Sequence, residues 1–169
     1  MARARRPRVA ADDARLSHVD ARGRARMVDV SAKPETHREA VADCDVRMNR
    51  AALSAIRRRS VKKGDPLQIA RLAGILAAKR TSEIIPLCHP IPLSHVDVDV
   101  RPKAGGYRLR ARVATVGRTG VEMEALVAVC VAALTLYDML KAVDRGIVIG
   151  PARLIEKRGG RSGHYRRRA

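Results

Sequence analysis

The chain has no phenylalanine, no tryptophan and only three tyrosines in 169 residues. Its core must therefore be built from Val, Ile, Leu, Ala and Met. Sheet surfaces that read single-stranded RNA do so by stacking bases on aromatic side chains. The strands here offer Tyr107 alone, which weighs against an RNA-binding module, the alternative reading that a basic chain invites. Cysteine is equally scarce. Cys44, Cys88 and Cys130 are odd in number and far apart, so neither a disulfide framework nor a CxxC zinc pattern is present. A reducing, cytoplasmic setting follows. The first residues lack the apolar stretch of a secretory leader. The chain also lacks the GxxxxGK[ST] loop that cradles nucleotide phosphates. The uncharged run of 13 residues from Ala125 to Tyr137 is too short to span a bilayer and reads as a buried helix.

Acid is scarce too. Lys and Arg number 35 against 17 Asp and Glu, for a net charge of +18. The excess is uneven: residues 1–15 carry +3 and residues 157–169 carry +6, leaving +9 for the middle. A surplus of that size attracts polyanions such as nucleoside polyphosphates. Apolar residues make up 46%, enough for one globular domain. The expected organisation is a disordered basic arm over 1–16, a catalytic α+β domain over 17–158 and a mobile Gly/Arg-rich tail over 159–169.

From Glu39 to Met48 apolar and charged residues alternate, the pattern of a half-buried strand. Asn49 can cap a short helix to about Arg58. "VKKGDP" is a loop. Asp65, followed by Pro66, opens a second helix that ends near Arg80. "IIPLCHPIPL" is an extended, proline-stiffened loop. "HVDVDVR" and "YRLRARV" form a hairpin across "KAGG", with Tyr107, Leu109, Ala111 and Val113 facing inward. A long helix spans Val121 to about Asp144, and "RGIVIGPARLIEK" is a last strand. The order predicts a ferredoxin-like split βαβ fold, an antiparallel sheet covered by helices. The long helix has no polar stripe, so one sheet cannot cover it. An oligomer is expected.

That helix carries charge only at its ends, Glu122 and Glu124 before the run and Asp138 and Lys141 after it. Asp138 and Lys141 share a face one turn apart. Glu124 and Asp138 are 14 residues apart, about 21 Å along the axis. One helix cannot bring both into one small site. Acid near a helix C-terminus also opposes the helix dipole, which leaves Asp138 in need of a reason. Elsewhere, Cys88 and His89 sit between prolines in "PLCHP", and Lys33, His37 and Arg38 are candidate phosphate ligands. No metal-ligand spacing is visible.

Six stretches in order, "MVDVSAKPETHREA", "KKGDP", "AAKRTSEIIPLCHPIPLSHVDVDV", "TGVEMEAL", "YDMLKAV" and "IGPARLIEKRGGRSG", together resemble the cyclic pyranopterin monophosphate synthases, the MoaC family of molybdenum cofactor biosynthesis. The resemblance covers roughly residues 17–164. It implies a lyase that converts (8S)-3′,8-cyclo-7,8-dihydroguanosine 5′-triphosphate to cyclic pyranopterin monophosphate, with release of diphosphate. By motif, it places Lys63, Asp138 and Lys141 on catalytic positions. It places Leu87, Cys88, His89, Met123 and Glu124 on substrate-binding positions, with Lys33, Arg38, Glu122 and Lys157 as further site residues. It implies no resident cofactor and no metal ligands, with Mg²⁺ only as a companion of the triphosphate. It also implies a homohexamer, a trimer of dimers with sites at subunit interfaces, and neither a nucleic acid nor a membrane partner. Arg161 stands where the family commonly has Lys in "GGKSG". Lys63, on a glycine-containing loop, is expected to reach Asp138 from a neighbouring subunit.

Overall fold

A computed structural model describes residues 22–161 and 163–168. The arm expected over 1–16 lies outside the described residues. Strand β1 (Thr36–Arg47) is followed by α1 (Arg50–Arg57), α2 (Pro66–Lys79) and the short α3 (Thr81–Ile84). Then come β2 (His95–Lys103), β3 (Gly106–Gly117), α4 (Glu122–Leu140), β4 (Val148–Ile149), β5 (Arg153–Arg158) and β6 (Tyr165–Arg166). The sheet runs β2-β3-β1-β5-β6, with β4 also on β1. All its pairings are antiparallel, so β1 and β2 run the same way with β3 between them.

The two faces of the sheet follow from the alternation. Ala40, Ala42, Cys44 and Val46 of β1 lie opposite Val113, Ala111, Leu109 and Tyr107 of β3. All eight are buried, as the inward assignment of the β3 residues required. Against them pack Ala125, Ala128, Val129, Ala132, Leu136 and Leu140 of α4. The other face is a ladder of ion pairs: Arg110 on Asp43 at 2.6 Å, Arg108 on Asp45 at 2.7 Å and Arg112 on Glu39 at 2.8 Å. Long guanidinium stems thus cover the surface that no helix covers.

Small side chains bring α2 and α4 close. A Cβ on Gly74 would meet the Ala128 carbonyl at 2.9 Å and the Ala132 Cβ at 3.2 Å. The two helices run in opposite directions. Lys63, just before α2, reaches Asp138 near the end of α4, while the loop after α3 returns to the start of α4. Of the described helices, α4 alone has the length and apolarity of a membrane span. Its packing on the sheet and on α2 makes it a core element.

Several boundaries differ from expectation. The expected last strand is two strands, because Gly150 bends the chain and donates its N–H to Asp45 O at 2.6 Å. Helix α4 stops at Leu140 rather than Asp144. Asp144 instead turns its carboxylate to the backbone N–H of Asn49, at 2.7 Å, and of Gly146, at 2.9 Å. Residues 165–166 pair with β5, and His164 Nε2 lies 2.7 Å from Glu156 Oε1. Asn49 and Asp65 cap α1 and α2 as expected, accepting from Ala52 N and from Leu67 and Gln68 N.

Candidate active site

The polar groups gather at the two ends of α4. At the N-terminal end a cleft of about 440 Å³ is lined by Lys33, Leu87, Cys88, His89, Glu122, Met123 and Glu124. Seven of the sequence-derived candidates are thus brought together. They arrive from three separate segments: the turn before β1, the proline loop and the first turn of α4. Gly120 leaves room for the Glu122 carboxylate, since a Cβ there would stand 1.8 Å from its Oε2. Lys157 joins the rim from β5 through an ion pair with Glu122 at 3.2 Å.

Glu124 is only 3% exposed, and its Oε2 has no hydrogen-bond partner. Burial pushes its pKa up to about 7, opposed by its own backbone N–H and reinforced by nearby Glu122. A buried acid with an orphan oxygen in an open cleft is poised to take a ligand's N–H or O–H. The Cys88 thiol is pushed up as well, by burial and by the Glu124 charge, so it stays a neutral wall. His89 donates its Nε2–H to the Val28 carbonyl at 2.8 Å, which fixes its ring and ties segment 28–33 across the cleft. Sequence reasoning gave Val28 no role, because it acts through its backbone. Thr119 and Gly120 of "TGVEME" also line the cleft.

Arg38 lies outside this lining. Its Nε donates to Gly117 O at 2.8 Å, and its guanidinium lies over Gly160, where a Cβ would stand 2.1 Å from Nη1. Gly159 and Gly160 both adopt positive φ, +89° and +73°, so the "GG" pair lets the chain turn around Arg38. Arg161 is exposed on that turn.

At the other end Asp138 accepts from Lys141 on Oδ1 and from Lys63 on Oδ2, both at 2.8 Å. These bonds hold its carboxyl down at about 2, the Lys141 contact first and Lys63 second. The same contact raises Lys141. The carboxylate stays ionised and holds two ammonium groups side by side, an arrangement suited to phosphate charge and to proton transfer. The expectation that Lys63 comes from a neighbouring subunit is corrected here: it reaches Asp138 within one chain. The antiparallel packing of α2 on α4 puts the 59–65 loop beside the end of α4. The two clusters nevertheless remain at opposite ends of a 19-residue helix.

Among the described residues no group of three or more His, Cys, Asp or Glu could hold a metal. Tyr107, the aromatic on which an RNA-binding reading of the sheet would rely, is 6% exposed on the helix-covered face, and Tyr165 of the two-residue edge strand β6 is the other described strand aromatic. A single exposed tyrosine at the sheet edge falls short of the two or three stacking aromatics such sheets use.

The chain matches the MoaC family model over residues 27–160. It is 61% identical over 156 residues to the cyclic pyranopterin monophosphate synthase of Thermomicrobium roseum, covering 91% of this chain and 94% of the relative. It is 55% identical over 154 residues to the protein of that name from Parvibaculum lavamentivorans, covering 90% and 96%. The corresponding protein of Novosphingobium aromaticivorans is 55% identical over 151 residues, covering 89% and 96%.

Proposed function

The chain belongs to the MoaC family, and from that membership we propose that it is the lyase of the second step of molybdopterin assembly. It takes (8S)-3′,8-cyclo-7,8-dihydroguanosine 5′-triphosphate to cyclic pyranopterin monophosphate and diphosphate. The observation that carries the reading is a similarity that spans 91% of the chain and includes both ends of α4. The chemistry fits what those ends offer. The orphan Glu124 carboxyl suits the N–H edge of a guanine-derived ring. The Lys33 and Lys157 ammonium groups suit phosphate oxygens. The Lys63–Asp138–Lys141 cluster suits proton transfer and the charge that builds as diphosphate departs. No resident cofactor is needed for these steps, and Mg²⁺ would arrive with the triphosphate.

We read the sheet order as the ferredoxin-like split βαβ arrangement, and the working enzyme as a cytoplasmic homohexamer, a trimer of dimers. Support for assembly comes from α2 and α4. Ile69, Leu72 and Leu76 form one exposed row on α2, and Leu134 of α4 is 58% exposed. Such a row on a soluble chain calls for a covering partner. In an oligomer, the Glu124 cleft of one subunit would face the Asp138 cluster of another. Supplying the cyclised triphosphate to the purified protein tests the activity. Stoichiometric pyranopterin and diphosphate are expected, and failure to form either would refute the reading.

A further inference from the structure

Residues 164–168 lie beyond the family match, which ends at residue 160. They nevertheless return to the sheet. Gly163 N–H donates to Gly160 O at 3.1 Å, and Tyr165 and Arg166 then pair antiparallel with Lys157 and Glu156 of β5. His164 Nε2 lies 2.7 Å from Glu156 Oε1, and Arg167 N–H donates to Ile155 O at 2.8 Å. Successive residues 164–167 thus grip successive residues 155–157 of β5.

That is where β5 is irregular. Arg158, Lys157 and Glu156 lie opposite Glu39, Ala40 and Val41 of β1, but Leu154 and Arg153 lie opposite Ala42 and Asp43. Ile155 is therefore the extra residue of a β-bulge, with no partner on β1. In a regular strand, residues three apart face opposite sides of the sheet. The bulge puts both Leu154 and Lys157 on the side of Ala42 and Ala40, the face under α4. Leu154 packs against the core there, and Lys157 reaches Glu122 on the first turn of α4 at 3.2 Å. Without the extra residue, one of the two would point to the ion-pair face. A bulge also interrupts the ladder and bends its strand, so its aim needs support from the other side. Arg167 supplies that support, on the carbonyl of the bulged residue itself. Covering a sheet edge would explain a strand laid anywhere along β5. It does not explain contacts that fall on the bulge and on the lysine just after it.

We propose that residues 164–167 are a clamp that positions Lys157: by holding the bulge at Ile155, they keep its ammonium at the rim of the Glu124 cleft. His164 and Arg167 are positioning residues and act through Lys157. Arg167 acts by its backbone N–H rather than by its charge. That Lys157 meets the substrate rests on the reaction proposed above.

The test is calorimetric titration of the cyclised triphosphate into full-length protein carrying Asp138→Ala, so that binding is read without conversion. Arg167→Pro removes the N–H that Ile155 accepts and is expected to weaken binding at least about fivefold. Arg167→Gln removes the charge, keeps the N–H and should stay within about twofold. His164→Ala should also weaken binding, and His164→Gln, which restores a donor to Glu156, should recover it. In a Lys157→Ala background, Arg167→Pro should cost no more than about twofold further, since changes that act through one group do not add. A full loss in that background, or no loss with Lys157 present, overturns the proposal, because the tail would then only cover the sheet edge. An equal loss in Arg167→Gln overturns it too, since charge alone would suffice. Binding as expected, without turnover by the chain with Asp138 intact, would keep the clamp and refute the reaction.

Discussion

Asp138 spends one carboxylate oxygen on each of two lysines. Removing any of the three groups leaves the other two misplaced or repelling. Lys63→Ala, Asp138→Ala and Lys141→Ala are each expected to fold and assemble but to lose about 10²–10⁴-fold in turnover. Single-turnover product formation measures this, and a loss below tenfold in any of them would remove that residue from the chemistry. Glu124 gives a different signature. Its folded pKa is about 7 against an ordinary 4.5. Between those values the folded chain keeps a proton that the unfolded chain has lost, so stability falls as pH rises through that window. Glu124→Gln removes the cost. It should be more stable than the parent at pH 8 by up to about 3 kcal/mol, with the difference shrinking below pH 5. Thermal unfolding at both pH values checks this, and a pH-independent difference would contradict it. Asp138, with Lys141 one turn away, was legible as a pair because helix geometry fixes that spacing. The orphan state of Glu124 was not legible, because burial depends on the whole fold.

At the scale of elements, the lack of aromatics explains the helix packing. With Ala and Gly at the contact, α2 and α4 approach until Gly74 faces the Ala128 carbonyl. Gly74→Val must push the helices apart and is expected to cost about 1–3 kcal/mol, seen as a lowered Tm. An unchanged Tm would show that the contact is looser than described. Strand alternation and the Asn49 and Asp65 caps were legible because they are local. The break between β4 and β5 was not, since Gly150 turns there against Asp45 on a distant strand. The tail strand β6 escaped notice for a similar reason: two residues pair with β5, too few to leave a periodic pattern. Gly159 and Gly160 read only as part of a Gly-rich tail, because the turn they make is defined by Arg38, far away in sequence.

At the scale of the whole molecule, the exposed row Ile69, Leu72 and Leu76 is where subunits are expected to meet. Leu72→Glu/Leu76→Glu should sediment as a smaller species with its circular dichroism retained, and an unchanged mass would move the interface elsewhere. The separation of the two ends of α4 was legible from counting residues, whereas the chain that supplies Lys63 was not. That required knowing how α2 lies on α4. The central claim is that a working site joins the Glu124 cleft of one subunit to the Lys63–Asp138–Lys141 cluster of another. Its most direct measurement is the turnover of verified mixed assemblies of two inactive variants. Glu124→Ala mixed with Asp138→Ala is expected to recover a fraction of parental activity, because some sites then pair an intact cleft with an intact cluster. Lys63→Ala mixed with Asp138→Ala should recover none, because one chain supplies both residues. No recovery in the first mixture, or recovery in the second, would contradict the account.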